Sequence, residues 1–348
     1  MPSTRFFGAC CFALVLAFTP CTRAAAPEQE LASFTDFKNV DPAHLGRIVL
    51  SQRGKLLSMQ DGLMTETCYL VAAPTEKTLT ALVNWDPASH ADLGVAIDGA
   101  MRQPVQYNDF AALRFDISRP FIQRLYNLSV SLNPEKSELN LSRAEAASLV
   151  QARERARRNN TSLAEALAVE WRKILFNRTE AFQQGGAIKL PPYEMGGKTV
   201  KPGTYFLTML AEQPRVAAHF SQLLRELPLQ KKSGPNISAN YYWGLFKPDD
   251  TAAFHAGGVF SKKIDSKYQV ADIEFYVSNT YYLGLTLYSL WPVTVNGAPA
   301  TLVWRGDYFA APTLSFTRGI ERMAYAAVMA QEIKKSIRHF QDDVEKKK

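Results

Sequence analysis

The sequence predicts an α+β protein in which a curved antiparallel sheet packs on a long C-terminal helix, with a helical segment inserted at about residues 120–230. Three observations lead there. Runs rich in Tyr, Val, Leu, Ile and Phe fill Tyr268 to Phe309, the composition of a pleated, half-buried surface. Behind them, apolar residues recur at three- and four-residue steps from Ile320 to Val344, the period of one helical face. In the middle of the chain, two capping boxes at Ser142 and Ser162 mark the starts of two more helices.

In order, the chain opens on a secretory pattern over Met1 to Ala26: basic Arg5, an apolar run from Phe6 to Phe18, then Ala24, Ala25 and Ala26. The run falls short of the roughly 20 residues that span a bilayer. Export with cleavage is the expectation, ahead of a retained membrane helix or a lipid on Cys21, beside which Phe18 and Pro20 suit a lipoprotein site poorly. Removing Arg5 and Arg23 lowers the formal net charge from +7 by two, to +5, too little to argue nucleic acid. The same cut takes Cys10, Cys11 and Cys21, so Cys68 is left without an internal partner. Set in Cys68-Tyr69-Leu70-Val71, it reads as a small buried hydrophobe.

Residues 27–44 are polar and are expected to form a flexible leader to a single domain at 45–348. Gly46 to Leu50 and Glu66 to Val71 read as strands. Ala72-Ala73-Pro74 then leads into a helix over Thr75 to Trp85, with Leu79, Leu82 and Val83 at helical spacing, ended by the turn Asn84 to Pro87. Short apolar runs follow at Leu93 to Ile97 and Ala111 to Ile117.

In the inserted segment, Ser142-Arg143-Ala144-Glu145 and Ser162-Leu163-Ala164-Glu165 each set a carboxylate three residues after a hydroxyl, so that each side chain satisfies a free N–H. The first helix runs to about Arg158. The second ends before Gly185-Gly186, where glycine accepts a left-handed backbone. Arg153, Arg155, Arg157 and Arg158 make a basic face, either a solvated surface or, through Arg153 and Arg157, a contact with an anionic membrane surface. A connector from Leu190 to Gly203 and a helix from Tyr205 to Leu227, interrupted near Pro214, complete the segment. Tyr241-Tyr242-Trp243 begins the return to the sheet through Thr251 to Phe260.

From Tyr268 to Val277 the side chains alternate, with Ala271, Ile273, Phe275 and Val277 on one face and Tyr268, Val270, Asp272, Glu274 and Tyr276 on the other. Ser278-Asn279 turns into a strand over Tyr281 to Leu290. Asn296-Gly297, between Val293-Thr294-Val295 and the strand Ala300 to Phe309, is a pair that accepts the positive φ of a tight hairpin turn. The closing helix groups Ile320, Met323, Ala327, Ala330, Ile333, Ile337, Phe340 and Val344 on one face, and Thr317 or Ser315 can cap it.

No catalytic signature stands out, and no catalytic residue, metal ligand or cofactor is assigned. His44, His90, His219, His255 and His339 are scattered without metal-ligand spacing, and His219 and His339 read as surface or boundary residues of helices. The candidate ligand-binding residues are Tyr268, Glu274, Tyr276, Tyr288 and Arg305: aromatic walls, with a charge to orient a polar head.

Tyr69 to Trp85, an apolar strand ending in Ala-Pro before a helix, together with the strands and long helix of Tyr268 to Phe340, resembles the helix-grip superfamily of START-like and polyketide-cyclase-like domains. Tyr241-Tyr242-Trp243 and Phe275-Tyr276-Val277-Ser278 are similar to runs in exported bacterial proteins of uncharacterised function. The resemblance implies a lipid, sterol or polyketide held between sheet and closing helix, and the chain departs from it by its large middle segment. The expectation is an exported, periplasmic or secreted, binding or carrier protein for an apolar, lipid-like ligand. An envelope scaffold without ligand and a START-like enzyme are the alternatives.

Overall fold

The computed structural model describes residues 26–53, 57–195, 197–248, 250–318 and 320–346; the signal segment expected over 1–26 lies outside them but for Ala26. Where a flexible leader was expected, the chain forms helices α1 (Pro27–Phe34) and α2 (Pro42–Leu45). A proline opens each, at the position where its missing N–H forfeits no helical bond. Leu31 and Phe34, three residues apart and so on one side of α1, are 0% and 3% exposed. Two well-placed apolar residues dock a segment that composition alone marks as polar.

Strand β1 (Leu50–Arg53) starts later than the Gly46 expected, because Gly46 takes a φ of 47° to end α2. Strand β2 (Gly62–Val71), buried along its whole length, leads into helix α3 (Thr75–Val83), and strand β3 (Val95–Met101) follows. Ala111 to Ile117 is turn and irregular backbone. The middle segment carries α4 (Pro120–Val130), α5 (Arg143–Arg158) and α6 (Leu163–Gly185). At Ser142 both bonds of the capping box form; at Ser162 the hydroxyl accepts from the Glu165 N–H while the Glu165 carboxylate turns to Arg172. A ribbon of β4 (Tyr193–Met195) and β5 (Lys198–Val200) precedes α7 (Pro202–Ala211), α8 (Pro214–His219) and α9 (Ser221–Leu224).

Strands β6 (Ser238–Phe246), β7 (Ala253–Ile264), β8 (Lys267–Val277), β9 (Leu283–Val295) and β10 (Ala298–Ala310) form an antiparallel meander, and α10 (Ile320–Lys346) closes the chain. The eight-stranded sheet has the order β1-β2-β10-β9-β8-β7-β6-β3, antiparallel throughout, curved and unclosed. Asn296 (φ 51°) and Gly297 (φ 78°) turn β9 into β10 with Val295 opposite Ala298, the backbone of a two-residue primed hairpin turn. A Cβ on Gly297 would meet nothing within 4 Å. Gly297→Val should therefore destabilise through backbone strain alone, by about 1 kcal/mol or more; an unshifted urea midpoint would show that the turn tolerates a branched residue.

Helices lie on both faces of the sheet. On one, α1 and the middle segment bury the main core, which includes Trp171, Trp243, Trp304, Phe182 and Phe206. On the other, α10 packs chiefly on β2 and α3, with Ile333, Ile337, Phe340 and Val344 against Tyr69, Val71, Val270, Leu290 and Val303. Only the second half of the expected stripe docks. Ile320 and Met323 are 83% and 43% exposed, and Ala326 turns inward instead, against Leu63 and Leu314. At about 100° per residue, Ile320 points roughly 140° away from Ile333, so one flat partner cannot cover both ends. Among the described residues no helix is long and apolar enough to cross a membrane.

Candidate functional site

The α10 face of the sheet carries a polar cluster that strand register assembles from six strands. Asp272 on β8 lies opposite Thr286 on β9, Thr286 opposite Asp307 on β10, and Asp307 opposite Thr65 on β2. Aligned residues project to one side, so these form one row. A second row joins Val270, Tyr288, Arg305 and Thr67, and a third runs from Tyr242 on β6 through Gly257, Glu274 and Gly284 to Phe309. The two glycines in the third row act as floor: a Cβ on Gly257 would lie 2.4 Å from the Tyr242 ring, and one on Gly284 would lie 2.8 Å from the Glu274 carboxylate.

Strand-to-strand bonds join the cluster. Arg305 donates its Nε to both Asp307 oxygens at 2.9 Å and an Nη to Oδ1 at 2.7 Å, and the Thr286 hydroxyl donates to the same Oδ1 at 3.0 Å. His255 on β7 donates Nδ1–H to Glu274 Oε1 at 2.8 Å, while the Tyr281 hydroxyl donates to Oε2 at 2.9 Å. Tyr242 donates its hydroxyl to Asp272 Oδ1 at 2.7 Å. The Glu274, Arg305 and His255 side chains remain 26%, 16% and 12% exposed, so the cluster is a partly open floor beside α10 rather than sealed core.

Environment splits the two β8 carboxyls. Burial works to raise Glu274, but the bonds from His255 and Tyr281 and the Arg305 charge outweigh it and hold this carboxyl below its usual range. For Asp272, burial first and the charge of Glu274 second push it up to about 7, against the Tyr242 bond and Arg305. Arg305 is held above its ordinary value, burial being overcome by Asp307. An ionised carboxylate on Nδ1 fixes an imidazole so that Nε2 can take or give a proton, and a neighbouring carboxyl titrating near neutrality can do the same.

The linkage for Asp272 has a definite sign. Its folded pKa lies above the unfolded one of about 3.8, so its contribution to stability is greatest below that value and is lost as pH rises through about 7. Asp272→Asn should unfold at higher urea than the parent at pH 8, with the gap narrowing by pH 5. An equal gap at both pH values would mean that the carboxyl is not perturbed.

Of the five expected binding residues, Tyr268, Glu274, Tyr288 and Arg305 share the α10 face, and Tyr276 does not. The register slips between Ala256 and Gly257, where Phe275 is an extra residue on β8; such a bulge reverses the alternation beyond it. Phe275 stacks on Phe182 at 4.1 Å and Tyr276 turns the same way, fully buried under the Arg178 guanidinium at 4.5 Å. Tyr288 is 6% exposed and belongs to the apolar contact with α10, with Arg305 5.5 Å from its ring centre. Tyr268 packs at the edge of that contact, with Lys263 over its ring.

Sequence reasoning passed over His255, Tyr242, Tyr281 and Asp307. Asp307 was within reach, since a residue two positions from Arg305 shares its face; His255 and Tyr242 enter only through register. His219 is not a surface residue: its side chain is 7% exposed, stacked on Phe34 with ring centres 3.8 Å apart, and burial pushes its pKa down to about 4. Cys68 is buried and pushed up to about 12 by burial, an inert thiol. In the basic face of α5, Arg153 is 15% exposed and donates to the Val130 and Leu132 carbonyls as well as to Glu154, while Arg157 is 53% exposed and pairs with Glu154.

Away from the cluster, a surface groove of about 630 Å³ lies between α3 and the end of α10, lined by Glu76, Thr80, Trp85 and Asp343 among others. Among the described residues no grouping of three or more His, Cys, Asp or Glu side chains is placed to hold a metal ion. Compared with protein-family models, curated proteins and solved structures, the chain matches none.

Proposed function

We propose that this is an exported, helix-grip-like binding or carrier protein for a lipid-like amphiphile, held on the α10 face of the sheet with its polar head at the Asp272–Glu274 cluster. The observation that carries the reading is a partly open row of charges and hydroxyls set into a face that is otherwise apolar. Polar groups in such a setting are costly to desolvate unless something polar meets them, and a ligand site is an apolar concavity with a few convergent polar groups. The hydroxyls of Thr65 and Thr67, 1% and 0% exposed, add to it: they have no hydrogen-bond partner among the described residues. The tail has no room beneath the second half of α10, where Ile333, Ile337, Phe340 and Val344 fill the contact. It lies instead beside the helix, along Phe309 and Tyr281.

Organic extraction of protein purified from its native compartment, followed by mass analysis, should give an amphiphile near one per chain, lost in a Gly284→Leu variant that fills the floor. Native protein free of any such species would sink the carrier reading. It would favour an envelope scaffold, a reading supported by the exposed Phe316 just before α10 and by Ile320 and Val328 on its outside, 85%, 83% and 63% accessible.

A further inference from the structure

The geometry points to a cationic head: the site selects amphiphiles that end in an organic ammonium group, seated between Asp272 and an arc of aromatic rings. This rests on the amphiphile-binding reading above and adds the sign of the ligand's charge. The cluster's own nitrogen donors are already committed. Arg305 is held by three bonds of 2.7–2.9 Å to Asp307, and the His255 imidazole by one of 2.8 Å to Glu274. Asp272 accepts from a hydroxyl, that of Tyr242, whereas Asp307 pairs with the Arg305 guanidinium. A headgroup carboxylate or phosphate would thus meet Asp272 and a spent guanidinium, whereas an ammonium would complete the charge balance.

The rings lie where a cation needs them. Tyr242 and Phe246 flank His255 at 5.6 and 4.6 Å, Phe246 is 6.0 Å from Tyr281, and Tyr281 is 6.3 Å from Phe309, an arc around the Glu274 carboxylate. Aromatic faces attract cations through their quadrupoles, most strongly where water is thinned out. Independently of the acids, the Asp272 row ends at the orphaned Thr65 hydroxyl, whose lone pairs suit an N–H donor. The raised pKa of Asp272 fits a carboxyl that waits for a counter-charge.

Calorimetric titration of the full chain with dodecylammonium, dodecanoate and dodecyl maltoside, each below its micelle threshold, tests this. The ammonium should bind about tenfold tighter than the carboxylate or more, and the advantage should shrink with added salt. Asp272→Asn, nearly the same shape, should lose that preference, while a cooperative urea transition shows that it is folded. Equal binding of all three, or tighter binding of dodecanoate, overturns the cationic assignment and leaves the amphiphile-binding reading standing. Binding of none overturns both.

Discussion

Arg178→Met should lower the unfolding free energy by about 3–5 kcal/mol, the range for removing one member of a buried ion pair. The Arg178 side chain is fully buried and reaches from α6 to three elements at once: an Nη donates to Glu145 Oε2 on α5 at 2.5 Å, another to the Pro191 carbonyl at 3.0 Å, and the guanidinium lies 4.5 and 5.0 Å from the rings of Tyr276 and Tyr193. Glu145 also closes the capping box of α5 by accepting the Ser142 N–H at 2.7 Å. Without Arg178 the Glu145 carboxylate is left largely buried with no counter-charge, at the point where the middle helices meet the sheet. Arg178→Lys should recover only part of the loss, since an ammonium cannot make the planar fork and lie between two rings together. Adding Glu145→Gln to Arg178→Met should cost less than the sum of the two single changes, because the uncompensated charge is gone. Urea unfolding of the four variants decides it; strict additivity, or a loss under about 1 kcal/mol for Arg178→Met, would mean that the pair is solvated in practice.

Much of the fold was legible because local signals and tertiary structure agree. Asn296-Gly297 fixes one hairpin by turn chemistry alone, and Ser142 with Glu145 fixes a helix start through bonds only three residues apart. The errors fall where an outcome depends on partners distant in sequence. The face taken by Tyr276 was set by one extra residue relative to β7, which alternation within β8 cannot reveal. The outward turn of Ile320 follows from the accumulated angle along α10, since three- and four-residue steps drift around the helix when only one side has a partner. In the site, Glu274 and Arg305 stood out as charges in aromatic strands. Their partners divide by distance: Asp307 sits two residues from Arg305 on one strand, whereas His255 reaches Glu274 only through the pairing of β7 with β8.

Phe34→Ala should cost about 3–5 kcal/mol, the usual range for emptying a buried phenylalanine site. A residue in a flexible leader would cost almost nothing. Phe34 stacks on His219, with ring planes 10° apart, and meets Trp304 edge-on at 5.1 Å and Phe220 at 6.3 Å. Its helix is held further by Glu30, which accepts the Trp291 indole N–H at 2.9 Å, pairs with Lys267 and lies 3.4 Å from His219 Nδ1. The loss should also depend on pH. His219 is depressed by burial to about 4 from an ordinary 6.5, so the stability it reports is present above about pH 6.5 and is lost as pH falls through about 4, because the unfolded chain takes up the proton first. Removing the Phe34 ring lets water reach the imidazole, and its folded pKa climbs back towards 6.5. The variant then escapes part of the acid penalty that the parent suffers. The difference in urea midpoint between parent and Phe34→Ala should be widest at pH 8 and narrower at pH 5. A deficit that is the same at both would mean that His219 keeps its buried environment without Phe34, and no deficit at all would detach α1 from the domain.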